Sequence, residues 1–333
     1  MTRHCPACAQ SASLYFTTTD INQRVSDSLF DYYRCPSCKL VFLSPIPDDL
    51  GSYYVSNYPA YQLPSLQELS EKAESERYKL DIIKKYATRG RLLEIGPAYG
   101  GFSYLAKIAG FDVEAIEMDA NCSRFLNNVV GIHTIHSLRL EDALNELTPF
   151  NVIVLWHVLE HLPDPWKAMS AIVDKLQPGG VVVLTTPNPF SLQFKIFGRF
   201  WVHVDAPRHV NLLPPVALQR YVESIGLHTE RITTTDEAGV IFHALGWWGA
   251  SFRNIINDSI RRSRPDKLAG GHRNVSRSLF SRVAEYLMHG ARFPAVLISL
   301  IFALGTCFIL FLILKPFERM EGLGSAYTMV IRK

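Results

Sequence analysis

The chain has 333 residues, enough for two domains of ~150 residues each. Hydrophobic residues make up 48% and charged residues 20%, which excludes wholesale disorder, and a net charge of +3 is too small for a nucleic-acid binder. The first twenty residues contain no seven-residue apolar run, so no secretory start is read there. Mean hydropathy is +0.06, high for a soluble enzyme, but the excess is local and a polytopic membrane protein is excluded.

Four of the six cysteines fall in two C-x2-C pairs, Cys5 with Cys8 and Cys35 with Cys38, each with proline after its first cysteine. Two such knuckles supply the four thiolates of a tetrahedral Zn2+ site. Four thiolates close the coordination, so the ion is expected to be structural and not catalytic. The 26 residues between the pairs fit a β-ribbon. Disulfides fare poorly without a signal peptide, and neither pair follows the βαβ pattern of a redox C-x-x-C. Cys122 and Cys307 read as packing residues. Residues 41–63, rich in Pro, Tyr and Ser, predict an ordered linker packing on aromatics. Residues 65–88 predict a single helix leading into the next domain.

After Gly90, apolar runs at 92–95, 113–116, 132–135, 152–156 and 181–185 alternate with helical segments such as 101–109, 120–127 and 166–176. The last helical segment is read as ending at Q-P-G-G. Strands buried on both faces and separated by helices predict an α/β, Rossmann-like, doubly wound parallel sheet, with its chemistry at the strand carboxyl ends. The first strand runs into E94-I-G96-P-A98-Y-G100, whose small residues let backbone approach a ligand at a helix amino terminus. The second ends at Glu117, 21 residues after Gly96, placed to accept from ribose hydroxyls. Together they predict a nucleoside-containing cofactor.

The G-x-A-x-G spacing, with Pro97 inside the loop, departs from the dinucleotide G-x-G-x-x-G and weakens a nicotinamide oxidoreductase reading. Glu94 is badly placed beside a pyrophosphate but well placed to accept from an α-ammonium, which favours a cofactor with an amino-acid tail. At this point the chain resembles the class I S-adenosylmethionine-dependent methyltransferases, in their type 11/23-like subgroup. FNVIVLWHVLEHLPDP resembles the family's fourth-strand motif and LQPGGVVVLTTPNP its fifth. DAPRHVNLLPPVALQRYVESIGL resembles its next helix and lead-in, and GLGSAYTMVIRK its returning seventh strand. The subgroup also carries a zinc ribbon and a Tyr-rich linker in front. Glu94 replaces the commoner Asp and Ala98 the middle Gly, both conservatively. The resemblance implies a seven-stranded sheet with S-adenosylmethionine as cofactor. By position, Glu94 would hold the methionine ammonium, Gly96, Ala98 and Gly100 would line the cofactor, Glu117 would take the ribose and Met118 would lie against adenine.

His157-Val-Leu-Glu160-His161 spells H-x-x-E-H, but a metalloprotease reading needs one helix, and the first His ends a strand while Pro163 and Pro165 follow. Ubiquinone-biosynthesis O-methyltransferases, which the segment also resembles, carry acid-x-x-Glu-His there, implicated in binding a divalent cation. His157 replaces the first acid, which puts that cation in question. Methyl transfer needs an aligned nucleophile and, for a hydroxyl, a base. His157 and His161, with Glu160, are therefore the catalytic candidates, the alternative being that they only cap and pack the loop. Asp205, Arg208 and His209 form a second polar cluster on the expected substrate side, where Arg208 either holds a carboxylate or phosphate or pairs with Asp205. His133 and His136 are assigned to the third strand.

Between a sixth strand at 228–235 and a seventh at 326–331 lies an insertion. It contains eight basic residues against two acidic ones over 261–292, then twenty uncharged residues at 295–314. If strands six and seven share a sheet, a lone crossing is excluded. Monotopic attachment to an anionic membrane surface is expected, with a crossing partner at 240–252, a buried helix or a dimer interface as alternatives. The expected organisation is a zinc ribbon at 1–45, linker and lead-in helix at 46–77, a methyltransferase core at 78–235 plus 322–333, and a membrane-associating helical insertion at 236–321. The expected function is methylation, preferably of oxygen, on a small or lipid-linked acceptor such as a glycan precursor, at the inner face of the cell membrane and with no nucleic-acid partner. A quinone- or isoprenoid-pathway O-methyltransferase and a non-catalytic membrane scaffold are the alternatives.

Overall fold

The computed structural model describes residues 2–54, 58–237, 244–262 and 312–333. Strands β1 (Thr2–His4), β2 (Ser11–Thr18), β3 (Phe30–Arg34) and β4 (Val41–Leu43) form an antiparallel sheet. The predicted lead-in helix is two helices, α1 (Leu66–Ala73) and α2 (Arg77–Lys84), joined by a 3-10 turn over Glu74–Glu76. A capping box between Ser65 and Glu68 starts α1. At its end the Ser75 hydroxyl donates to the Lys72 carbonyl (2.7 Å), a local side-chain bond that competes with helix continuation.

Five parallel strands follow: β5 (Gly90–Ile95), β6 (Phe111–Glu117), β7 (His133–His136), β8 (Phe150–Trp156) and β9 (Leu176–Pro187). Between them run α3 (Gly101–Ile108), α4 (Ala120–Phe125), α5 (Leu140–Asn145) and α6 (Pro165–Asp174). After β9 come α7 (Leu192–Phe197), the short strand β10 (Asn211–Leu212), α8 (Pro215–Ser224), β11 (His228–Thr233), α9 (Ala244–Arg262) and β12 (Ala326–Arg332). The sheet is mixed, because β12 runs antiparallel between β9 and β11, giving the order β11-β12-β9-β8-β5-β6-β7. Q-P-G-G, read as a helix stop, instead opens β9, with Leu176 in register with Phe150.

Alternate residues of the central strands enter two cores. Leu93, Ile153 and Leu155 pack with Met169 and Ile172 of α6, whereas Leu92, Val152 and Val154 pack with Phe102 and Leu105 of α3. Helices therefore cover both faces, as the uninterrupted apolar runs required.

The amino-terminal sheet is completed from the core. β10 pairs with β4, placing Asn211 opposite Phe42, so the loop ahead of β10 is held between the two sheets. In the insertion, Trp248 of α9 is buried against Phe197 and donates its indole N–H to Glu318 (3.0 Å). Among the described residues no helix is long and apolar enough to cross a membrane. His243, Cys307, the basic block from 263 onward and most of the 295–314 run lie outside the described residues.

Candidate active site and metal centre

The two cysteine knuckles are built alike. Cys5 and Cys35 accept from the backbone N–H of Ala9 (2.8 Å) and Lys39 (3.1 Å), and those two residues take left-handed φ values of 58° and 64°. This closes each knuckle over its own sulfurs. Sγ of Cys5 lies 3.5 Å from that of Cys38, Cys8 is 3.5 Å from Cys35, and all four lie within 4.8 Å of one another. Tetrahedral Zn2+ at ~2.3 Å from each sulfur needs sulfurs about 3.8 Å apart, so the four thiols fit the ion. No disulfide joins them.

At the carboxyl end of β5 the chain turns through Gly96 (φ 69°), Ala98 (φ 54°) and Gly100 (φ 83°) before α3 begins. A Cβ at Gly96 would sit 2.8 Å from Val158, and one at Gly100 would strike Leu126, which is why glycine stands at both. Glu117 at the end of β6 holds this loop. It accepts from the N–H of Ala98 (2.9 Å) and of Asp119 (2.7 Å), leaving other lone pairs for a ligand. Burial raises its pKa. Glu94 is buried, accepts from the Ser103 hydroxyl, and is pushed up to about 7 by burial, against the pull of Lys79 and Ser103. Met118 is half-exposed, and its carbonyl accepts from His136 Nε2 (3.0 Å). The residues predicted for the cofactor thus lie together at the carboxyl ends of β5 and β6.

The residues predicted for the acceptor side are assembled differently. His157 directly follows β8 in a left-handed conformation (φ 56°) and places Nδ1 3.1 Å from Glu160 Oε1. Glu160 is fully buried and accepts from Thr186 as well (2.9 Å). Burial alone would raise it, but the His157 hydrogen bond and the surrounding imidazoles bring it down to about 2. A carboxylate on Nδ1 fixes the tautomer and leaves Nε2 of His157 with a lone pair. His161 sits in the 3-10 turn Leu159–His161, too short for a zinc-protease helix. Its Nδ1 lies 2.8 Å from the Tyr54 hydroxyl and 3.1 Å from the Arg208 carbonyl. Burial and neighbouring His209 push it down to about 4, so it is neutral at pH 7.

Arg208 was open between binding an anion and pairing with Asp205, and the geometry is the pairing. It is fully buried, and its five N–H groups go to Asp205, Asp20 and the Tyr53 carbonyl at 2.6–3.3 Å. No donor remains for a substrate. Asp205 also accepts from Asn22 (2.8 Å) and, despite burial, is held at about 2 by Arg208. His209 donates Nδ1–H to the His203 carbonyl (2.8 Å), and its ring stands edge-on to His161 at 4.4 Å. Ligand atoms of Glu160, His161 and His209 lie within 4.8 Å of one another, a spacing that fits a cation.

Sequence reasoning missed His203, Tyr54, Asp20 and Tyr32. The His203 ring is parallel to His157 at 5.8 Å, and Tyr32 donates to the His209 carbonyl (2.7 Å). None of the four belongs to a spaced motif. Only the tyrosine-rich composition of the linker pointed toward Tyr54.

The sheet order, the glycine turn after β5 and the polar groups at the strand ends define a Rossmann-like α/β protein. Residues 64–232, just over half the chain, match the family model described as a methyltransferase domain. The chain belongs to that family, among the class I S-adenosylmethionine-dependent methyltransferases. It is 30% identical over 125 residues to a ubiquinone biosynthesis O-methyltransferase of Cereibacter sphaeroides, covering 34% of this chain and 49% of the relative. It is 26% identical over 178 residues to one from Paraburkholderia phymatum, covering 48% and 72%. The match thus spans about half the length of the first of these relatives. A solved methyltransferase from Archaeoglobus fulgidus superposes with a TM-score of 0.47 at 18% identity, covering 78% of this chain and 94% of that one.

Proposed function

We propose that the protein transfers a methyl group from S-adenosylmethionine to a hydroxyl of a small acceptor, with His157 as general base. The observation that carries this reading is the His157–Glu160 pair at the carboxyl end of β8: a buried carboxylate on Nδ1 and a half-exposed ring whose Nε2 is left to take a proton. Bound S-adenosylmethionine supplies an electrophilic methyl on a sulfonium. Glu94 is proposed to take its ammonium, Glu117 the ribose, Met118 the adenine face, and Gly96, Ala98 and Gly100 the close backbone approach. His161 and His209 orient the acceptor, and Asp205 and Arg208 support them from behind.

The named activity of the relatives favours an acceptor of the ubiquinone-precursor kind over the glycan precursor that the sequence suggested. Structural Zn2+ in the four-cysteine knuckles belongs to this reading, as does the division into ribbon, linker, core and insertion. Membrane association rests on residues 261–314 of the sequence, and flotation with anionic vesicles tests it.

His157→Ala is expected to lower kcat about a hundredfold while S-adenosylhomocysteine binding is kept. Full activity in that variant would remove the base. A second reading adds a divalent cation on Glu160, His161 and His209, favoured by their 4.8 Å clustering. Loss of activity on chelation, restored by Mg2+ and absent in Glu160→Gln, would support it.

A further inference from the structure

Helix α9, which opens the described part of the insertion, is built into the loop that carries His203. Trp247, Ser251 and Asn254 recur at i, i+4 and i+7 and so share one face of the helix. Ser251 and Asn254 are buried, and each holds the loop. The Ser251 hydroxyl accepts from the Val202 N–H (3.0 Å) and donates to the Trp247 carbonyl (2.8 Å), so one oxygen ties the residue before His203 to Trp247. The Asn254 amide donates to the Phe200 carbonyl (3.1 Å) and to Asn22 (2.7 Å). Asn22 donates in turn to the Val202 carbonyl (2.7 Å) and to Asp205 (2.8 Å). A helix from the stretch expected to serve a membrane is thereby fastened to the Asp205–Arg208 network.

The rings at the start of that face meet the proposed base. The Trp247 indole stands nearly perpendicular to His203, with ring centres 4.5 Å apart and planes at 77°. It makes a similar angle of 73° with His157, at 6.4 Å, and His157 and His203 are parallel at 5.8 Å. His203 is buried, with fully buried Trp201 against it at 4.9 Å. Burial and the neighbouring imidazoles hold its pKa well below the usual histidine range, so its ring is neutral. Trp247 and His157, by contrast, are both half-exposed. Two half-exposed rings at near right angles, both packed on a buried neutral one, form a corner with an apolar side and a basic side. A flat ring seated there gains aromatic contacts that a puckered ring of the same size cannot match.

We propose that Trp247, carried by the insertion helix α9, is a binding residue of the acceptor site and selects acceptors whose hydroxyl stands on a flat ring. The inference rests on the assignment of His157 as base in the methyl-transfer reading. Ser251 acts through Trp247 and Val202 and is a positioning residue. The insertion then serves acceptor choice as well as any surface it meets.

Calorimetric titration of the full chain, saturated with S-adenosylhomocysteine, with catechol and with cis-cyclohexane-1,2-diol tests the corner, since the two diols differ in flatness and not in carbon count. The wild type should bind catechol at least tenfold more tightly than the cyclohexane diol. Trp247→Ala should weaken catechol five- to tenfold while the cyclohexane diol and S-adenosylhomocysteine keep their affinities, and Trp247→Phe should restore most of the loss. With catechol as methyl acceptor, the larger part of the Trp247→Ala loss should fall on KM, which a merely structural role would not single out. Ser251→Ala should give a smaller loss with the same selectivity. Unchanged catechol binding in Trp247→Ala, or equal loss of both diols, overturns the corner. Wild-type protein that binds S-adenosylhomocysteine but does not prefer catechol overturns the corner alone, whereas failure to bind S-adenosylhomocysteine overturns the methyl-transfer reading with it.

Discussion

The two sides of the proposed site are made in different ways. The cofactor wall is one stretch of chain, β5 through β6, in which Glu117 reaches back 19 residues to the N–H of Ala98. The acceptor wall is gathered from the turn after β8, the loop ahead of β10, and the amino-terminal segment, with Asp20 reaching Arg208 across 188 positions and Tyr32 reaching the carbonyl of His209 across 177. The first can form wherever a βαβ unit forms. The second exists only once the amino-terminal sheet has docked through the β4–β10 pair. In the proposed reading, chemistry on the acceptor side is therefore tied to the cysteine module, and cofactor binding is not.

The largest expected effect breaks the acceptor wall at its buried ion network. Arg208→Met leaves Asp20 and Asp205 as uncompensated charges, a loss of about 3–5 kcal/mol. Thermal melting should show it as a large fall in Tm. A shift of only a degree or two would mean that the network is dispensable. Chelation of the cysteine knuckles should act on the same side, abolishing methyl transfer before S-adenosylhomocysteine binding is lost.

On the cofactor wall the expected effect is a pH dependence of about tenfold. Glu94 is raised to about 7 by burial, with Lys79 and Ser103 opposing and Glu76 and Glu117 reinforcing the shift. Below pH 7 its carboxyl keeps the proton and offers the cofactor's ammonium no charge. Affinity for S-adenosylhomocysteine should thus rise nearly tenfold from pH 6 to pH 7.5, and Glu94→Gln should be weak and flat over that range. The same shift bears on the cofactor-free fold. A carboxyl raised in the folded state stabilises it fully below the unfolded pKa, and that contribution is lost as pH climbs through 7. A pH-independent wild-type affinity would sink the assignment of Glu94 to the ammonium.

The contrast also explains what was legible in the sequence. Strand positions could be read because burial on both faces leaves continuous apolar runs. Glu94 and Glu117 could be read because strand ends and a short glycine loop fix their places locally. Arg208 stayed ambiguous because its second carboxylate, Asp20, lies 188 positions away in the loop after β2. His203 was invisible, and Tyr54 marked only by the composition of its linker, for the same reason: their roles depend on tertiary contacts that no spacing records. The 65–88 segment failed differently. Its composition favours helix throughout, and the break at Glu74–Glu76 comes from a local serine bond and from carboxylate contacts made in the fold.

The smallest expected effect separates orientation from chemistry within the acceptor wall. Tyr54 carries no proton to or from an acceptor in the proposed reaction. Its hydroxyl lies 2.8 Å from His161 Nδ1, the atom that also faces the Arg208 carbonyl at 3.1 Å. With Nδ1–H shared between that carbonyl and the Tyr54 oxygen, both of which accept, the Tyr54 contact helps keep the ring in one orientation and leaves the lone pair on Nε2. A neutral hydrogen bond of this kind contributes about 1 kcal/mol net, so Tyr54→Phe should lower kcat about fivefold and leave S-adenosylhomocysteine affinity unchanged. His161→Ala should fall further, because it removes the ring itself. Combining Tyr54→Phe with His161→Ala should then add almost nothing to the single histidine change, since the tyrosine acts through that ring. Fully additive losses in the double variant would show that Tyr54 works on the acceptor directly.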